Sequence, residues 1–206
     1  MAIKAVIFDC DGVLFHSEQA NIEFYKEVLR QAGLPPLPTD ADMSYHSLAS
    51  VQLFEKYFGD RPEVLARVKK AAGGVDYGPF YRFMQPRERL HEVLGLLKKT
   101  YFTGMATNRG ISWRGVLDHF ELTDLLDFAI GAGDVEMPKP HPEMLLRCAE
   151  HFGLQPGEAV YVGDQRTDAE SAAAAGVQFV GVGTIASEVE VSIDHLDELA
   201  AVLEDL

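Results

Sequence analysis

The chain has 206 residues, 47% of them hydrophobic and 24% charged, the composition of an ordinary soluble globular protein. Its 32 acidic and 18 basic residues give a formal charge of −14. The densest basic pairs, Lys69-Lys70 and Lys98-Lys99, read as solvated helix ends, so nucleic-acid and anionic-membrane partners are excluded. An anionic substrate must then be attracted locally, by a bound cation or a few placed side chains, against the field of the whole molecule.

In chain order, the first element is a short apolar run at 4–8, too short for the core of a signal peptide. The two cysteines, Cys10 and Cys148, fall in a buried strand end and a helical pattern, so a reduced cytoplasmic protein is expected. From 15 to 84 no strand pattern occurs. Helical patterns run over 18–31, 42–58 and 62–71, with a shorter one near Phe80, broken by Pro35, Pro36 and Pro38 and then by Gly73-Gly74. Beyond them, amphipathic helices are predicted at 87–99 and 141–152, and a small-residue helix at 166–175 stopped by Gly176. Strands are predicted at 101–107, 128–130, 159–162 and 178–182. The apolar stretch 172–186 is interrupted by Gly176, Gln178, Gly181 and Gly183, so it reads as helix end, turn and strand, not a membrane span.

Nearly continuous apolar strands alternating with helices predict a doubly wound α/β fold with a parallel sheet of five or more strands. A crossover between parallel strands needs about a dozen residues. The first one here takes roughly ninety, so the expected organisation is a catalytic core from 1–14 and 85–206 with an all-helical cap inserted at 15–84.

In open α/β sheets the site lies at the carboxyl ends of the strands. Those ends carry Asp9 and Asp11, then Thr107, Asn108 and Arg109, then Lys139, then Asp164 and Asp168. Crowded carboxylates need a cation, and hard oxygen donors select Mg²⁺, whose coordination is completed by water and substrate phosphate. One carboxylate can attack phosphorus, and a second, two residues on, can protonate the leaving oxygen and then activate water. Thr107 and backbone N–H groups can hold phosphoryl oxygens, and Lys139, between two prolines in what reads as an extended segment, can offset their charge.

The segments Phe8-Asp9-Cys10-Asp11-Gly12-Val13-Leu14, Ala106-Thr107-Asn108, Lys139-Pro140-His141-Pro142 and Gly163-Asp164-Gln165-Arg166-Thr167-Asp168 resemble, in order and spacing, the motifs of the haloacid dehalogenase superfamily. The similarity is to the branch that includes phosphoglycolate phosphatase and β-phosphoglucomutase, and it covers nearly the whole chain. It implies Asp9 as nucleophile and magnesium ligand, and Asp11 as general acid and base whose backbone carbonyl also meets the metal. It further implies phosphate binding by Thr107 and the Asn108 amide, a bridging Lys139, a metal ligand in Asp164, and an Asp168 acting through water or by orienting Lys139. Dehalogenating members lack the second aspartate, so Asp11 points to phosphate chemistry.

The function expected is hydrolysis of a small phosphorylated metabolite through an aspartyl phosphate. The alternatives are a phosphosugar mutase, in which a sugar hydroxyl accepts the phosphoryl group, and a receiver-like regulator phosphorylated on Asp. Asp164 and Asp168 also read as caps of the helix begun by Arg166, and Arg109 as either a solvated or a phosphate-binding side chain. His16, Tyr45, His46 and Ser47 could line a substrate cavity, although a loop glycine frequent in the family's cap is missing from Ser44-Tyr45-His46-Ser47.

Overall fold

A strand buried on both faces and both edges sits at the centre of a sheet. β1 (Ala5–Phe8) is such a strand. In the computed structural model, which describes residues 2–36 and 49–206, β1 pairs in parallel with β4 (Phe102–Thr107) on one side and β6 (Ala159–Gly163) on the other. β5 (Phe128–Gly131), β7 (Gln178–Val182) and β8 (Ser192–Ile193) extend the sheet to the order β5-β4-β1-β6-β7-β8, six parallel strands among the described residues. Numbered by their order along the chain, these strands run 3-2-1-4-5-6 across the sheet. The winding therefore reverses between β1 and β6, where such a sheet opens its crevice.

Alternation along β1 splits the core into two layers. Val6 and Phe8 face one side with α4 (Leu90–Leu97), α5 (Trp113–His119) and α8 (Leu199–Asp205). Ala5 and Ile7 face the other with α6 (Glu143–His151) and α7 (Arg166–Ala175). Each fully buried aliphatic side chain here contributes about 1.5–3 kcal/mol of transfer free energy. α7 ends at Gly176, whose φ of 72° is the left-handed cap expected from the sequence.

Between β1 and β4 the chain forms α1 (Glu18–Gln31), α2 (Ser50–Phe58), α3 (Pro62–Gly74) and a 3₁₀ turn at Gly78–Phe83. Tyr25, Val28, Leu29, Leu53, Phe54 and Val68 give this segment an apolar cluster of its own. Where the chain leaves and rejoins the core, β2 (Phe15–His16) and β3 (Gln85–Pro86) pair antiparallel. Two-residue strands carry no period to detect, which is why the sequence shows neither. The first half of the helix expected at 42–58, and with it Tyr45, His46 and Ser47, lies outside the described residues. No helix of the described residues is long and apolar enough to cross a membrane.

Candidate active site

The register of the central strands levels the ends that carry the chemistry. Phe8 stands opposite Met105 of β4 and Val162 of β6, so Asp9, Thr107 and the Gly163-Asp164 turn all emerge at one edge. Asp9 N–H still donates to the Val162 carbonyl (2.9 Å), which fixes the backbone of the candidate nucleophile to the sheet. The chain then turns tightly. Gly12 has φ 80°, its N–H donates to the Phe15 carbonyl (2.8 Å), and a Cβ at this position would collide with the Asp164 carboxylate. Glycine is required here twice, for the backbone angle and for the approach of Asp164.

Asp9, Asp164 and Asp168 each bring one oxygen within 4.8 Å of the others. Asp9 and Asp168 are buried, Asp164 partly so. Burial, together with the neighbouring carboxylates, pushes Asp9 well above the usual carboxylate range, although Lys139 pulls it down. Asp164 is raised to about 7, first by burial and then by Asp168. Asp164 Oδ2 accepts from Gln165 Nε2 (2.7 Å), whereas its buried Oδ1 has no hydrogen-bond partner among the described residues. Buried polar oxygens are almost always satisfied, so an orphan of this kind marks a place for a ligand.

Lys139 sits at the centre, 1% exposed. Its Nζ donates to Asp168 Oδ1 (2.7 Å) and to the Tyr161 hydroxyl (2.6 Å), and lies 2.8 Å from Asp9 Oδ1. Apart from this ion pair, Asp9 Oδ1 has no hydrogen-bond partner among the described residues. Burial pulls the Lys139 ammonium toward neutrality, but Asp168 and Asp9 outweigh it and keep it charged. The lysine lies in a turn with a cis bond to Pro140, not in the extended segment its two prolines imply.

Both carboxylate oxygens of Asp168 are engaged. Its Oδ2 accepts the backbone N–H groups of Gln165 (3.0 Å) and Asp164 (3.2 Å) at the start of α7, while Oδ1 takes Lys139. Helix capping and lysine orientation are therefore done by opposite oxygens of one carboxylate.

Thr107 is buried at the end of β4, its Oγ1 accepting from the Arg109 N–H (3.1 Å). The Asn108 side chain does something not visible in the sequence: Oδ1 accepts from the Lys139 N–H (3.0 Å) and Nδ2 donates to the Lys139 carbonyl (3.1 Å). It holds the lysine's turn from 31 positions away. Tyr161 is a residue that sequence reading misses. Fully buried, it supports Lys139 from below and donates to the Ala106 carbonyl (2.9 Å). A lone Tyr in a strand reads as core, and the partner of its hydroxyl comes from another strand.

The Asp11 side chain stands apart from the three grouped carboxylates. It accepts from Ser17 Oγ, from Asn21 Nδ2 (3.3 Å) and from Arg109 Nη2 (2.5 Å). Burial alone would raise its carboxyl, but Arg109, with Ser17 and Asn21, holds it below the ordinary range. Arg109 itself is 7% exposed, so it is not the solvated side chain that was one of its two expected readings. A cavity of about 380 Å³ opens beside Asp11, Asn108 and Arg109, and Asn21, Phe54 and Tyr77 also line it. Cys10 is buried on the apolar side of the turn.

The family description "Haloacid dehalogenase-like hydrolase" matches residues 6–182. A phosphoglycolate phosphatase of Neisseria meningitidis serogroup A is 30% identical over 188 residues, covering 87% of this chain and 80% of the relative. The crystal structure of a HAD-superfamily hydrolase, subfamily IA, from Geobacter sulfurreducens is 36% identical, with a TM-score of 0.74 over 98% of this chain and 96% of the other. The β-phosphoglucomutase of Clostridium difficile shares the fold, at a TM-score of 0.83 and 20% identity over 98% of this chain and 96% of the other. The match to the family spans both faces of the sheet, the helical segment and all the strand ends that meet at Lys139: the chain belongs to the haloacid dehalogenase-like hydrolase family.

Proposed function

We propose that the protein is a Mg²⁺-dependent phosphatase that hydrolyses a small phosphomonoester through a phosphoryl group carried on Asp9. One observation carries this reading: Asp9 is buried against Lys139 at 2.8 Å beside two further carboxylates, with one Asp164 oxygen unsatisfied. Three acidic oxygens around an orphan are the hard donor set that suits Mg²⁺. Asp9 and Asp164 would hold the ion, with the Asp11 backbone carbonyl, and Asp168 would act by orienting Lys139. Bound there, Mg²⁺ supplies positive charge toward the transferring phosphoryl oxygens.

The side chains then divide the work. Asp9 attacks phosphorus while the ester P–O bond breaks; Asp11, which Arg109 holds ionised in the free protein, takes up a proton from solvent as the substrate binds and passes it to the departing oxygen. Water next attacks the same phosphorus, yields a proton to Asp11, and the bond to Asp9 breaks, releasing inorganic phosphate. Thr107 and the Asn108 amide hold phosphoryl oxygens, and Lys139 offsets their growing charge. Residues 15–84 serve as a cap over the cavity, closing to exclude bulk water and opening for release.

Phosphate release from a panel that includes phosphoglycolate, sugar phosphates, nucleotides and inorganic pyrophosphate tests the reading, with Mg²⁺ and with EDTA. Metal-dependent release lost in Asp9→Asn supports it. Isomerisation of a phosphohexose without net release would replace it with a mutase, and a long-lived acyl phosphate without turnover with a regulator.

A further inference from the structure

Three donors converge on a single oxygen of Asp11. Ser17 Oγ, Asn21 Nδ2 and Arg109 Nη2 all reach Oδ1, and none of them reaches Oδ2. A carboxylate is planar, so pinning one oxygen from several directions fixes the rotation of the group and aims the other oxygen. The three donors come from different parts of the fold: Ser17 and Asn21 from the start of the helical segment, Arg109 from the end of β4.

Arg109 is itself held. Its guanidinium lies over the Tyr77 ring at 4.8 Å, Nη2 also donates to Asn21 Oδ1 (3.2 Å), and that same oxygen accepts from the Tyr77 hydroxyl (3.1 Å). Its buried Nε has no hydrogen-bond partner among the described residues. A buried ion pair with an unsatisfied donor is a poor way to gain stability, because apolar residues of the same volume do as well or better. Fixing a geometry is what such a pair does well.

We propose that Arg109 is a positioning residue that, anchored by Asn21 and Tyr77, aims Asp11 Oδ2 at the leaving oxygen of the substrate. The inference deepens the phosphatase reading and rests on Asp11 as its acid and base. Because Asn21 and Tyr77 belong to the helical segment and Asp11 and Arg109 to the core, the aim of Asp11 is set jointly by both.

The test compares kcat/KM for an alkyl phosphate and for p-nitrophenyl phosphate, with inhibition by inorganic phosphate, in the full chain with Mg²⁺. The variants are Arg109→Gln, Arg109→Lys, Asp11→Asn and the Asp11→Asn/Arg109→Gln pair. An alkoxide needs a proton to leave and a nitrophenolate does not. Arg109→Gln should lower kcat/KM about ten-fold or more for the alkyl ester, a fraction of what a general acid contributes, and only a few-fold for the nitrophenyl ester. Inhibition by phosphate should stay unchanged, and Arg109→Lys should recover part of the loss. In the Asp11→Asn background Arg109→Gln should cost nothing further, since the two act as one unit. An additive loss in the double variant, or equal losses on both esters, would overturn the proposal in favour of a structural role. Weaker phosphate inhibition would overturn it in favour of a direct substrate contact. Should Arg109→Gln fail to fold, Tyr77→Leu keeps the test: it removes the ring on which the guanidinium lies, takes no donor from Asp11, and should show the same preference for the nitrophenyl ester, about three-fold. If Asp11→Asn retains full activity on the alkyl ester, the acid–base reading fails first, whatever Arg109 does.

Discussion

The Lys139 ammonium stands 2.8 Å from the Asp9 carboxylate, and both side chains are buried. The same nitrogen lies 2.7 Å from Asp168, so one buried cation stands between two buried carboxylates. Replacing Lys139 by Met removes the cation and leaves both acids uncompensated. Breaking a buried pair in this way costs about 3–5 kcal/mol, which urea unfolding would register. Phosphate release should fall at least about a hundred-fold, because a preorganised charge at the transferring group is lost. Lys139→Arg should not restore it, since a planar fork cannot replace a point donor enclosed by Asp9, Asp168 and Tyr161.

Tyr161→Phe removes one hydroxyl from under that lysine. The Ala106 carbonyl loses its donor and Lys139 Nζ loses an acceptor at 2.6 Å. Unsatisfied buried groups of this kind cost about 1–3 kcal/mol. The expected outcome is a lowered melting temperature with activity reduced but present, measured on the same preparation. Unchanged stability would mean that the hydroxyl is dispensable to the lysine.

Gly12→Ala strains a residue with φ 80° and drives a methyl group into Asp164. The left-handed angle alone costs about 1–2 kcal/mol, and the displacement of Asp164 adds to it. Titration with Mg²⁺, followed by thermal shift, should show weaker binding than wild type as well as a lower starting melting temperature.

How much of this was legible beforehand differs by residue. The four motif segments, the parallel sheet and the end of α7 at Gly176 could be read because each is local: an apolar run, a spacing, a left-handed stop. The side-chain bonds of Asn108 and the role of Tyr161 could not, because both are hydrogen bonds to Lys139, across 31 and 22 positions. Arg109 was open between solvent and phosphate because its partner Asp11 lies 98 positions away, on a different strand end. α5, α8 and β8 were not predicted. They are short, seven, seven and two residues, and offer too few turns or alternations for a period to show.

Proton and metal should compete at Asp164. Its pKa is about 7 against an ordinary 3.8, so between those values the metal-free folded chain keeps a proton that the unfolded chain has shed. Folding therefore takes up protons across that window, and this group lowers the stability of the metal-free protein as pH rises from about 4 to 7. A cation that requires the carboxylate reverses the trend. The thermal stabilisation given by a fixed Mg²⁺ concentration should be several-fold smaller at pH 6 than at pH 8, and nearly abolished in Asp164→Asn. Equal stabilisation at both pH values would place the ion elsewhere.

The most direct test of the central claim is a single-turnover experiment with a phosphate-labelled ester, quenched in acid, followed by peptide mapping. A label should appear on Asp9 that is stable to acid, released by hydroxylamine, and absent from Asp9→Asn. Turnover of the same ester with no label on Asp9 at any time, or undiminished turnover by Asp9→Asn, would contradict it.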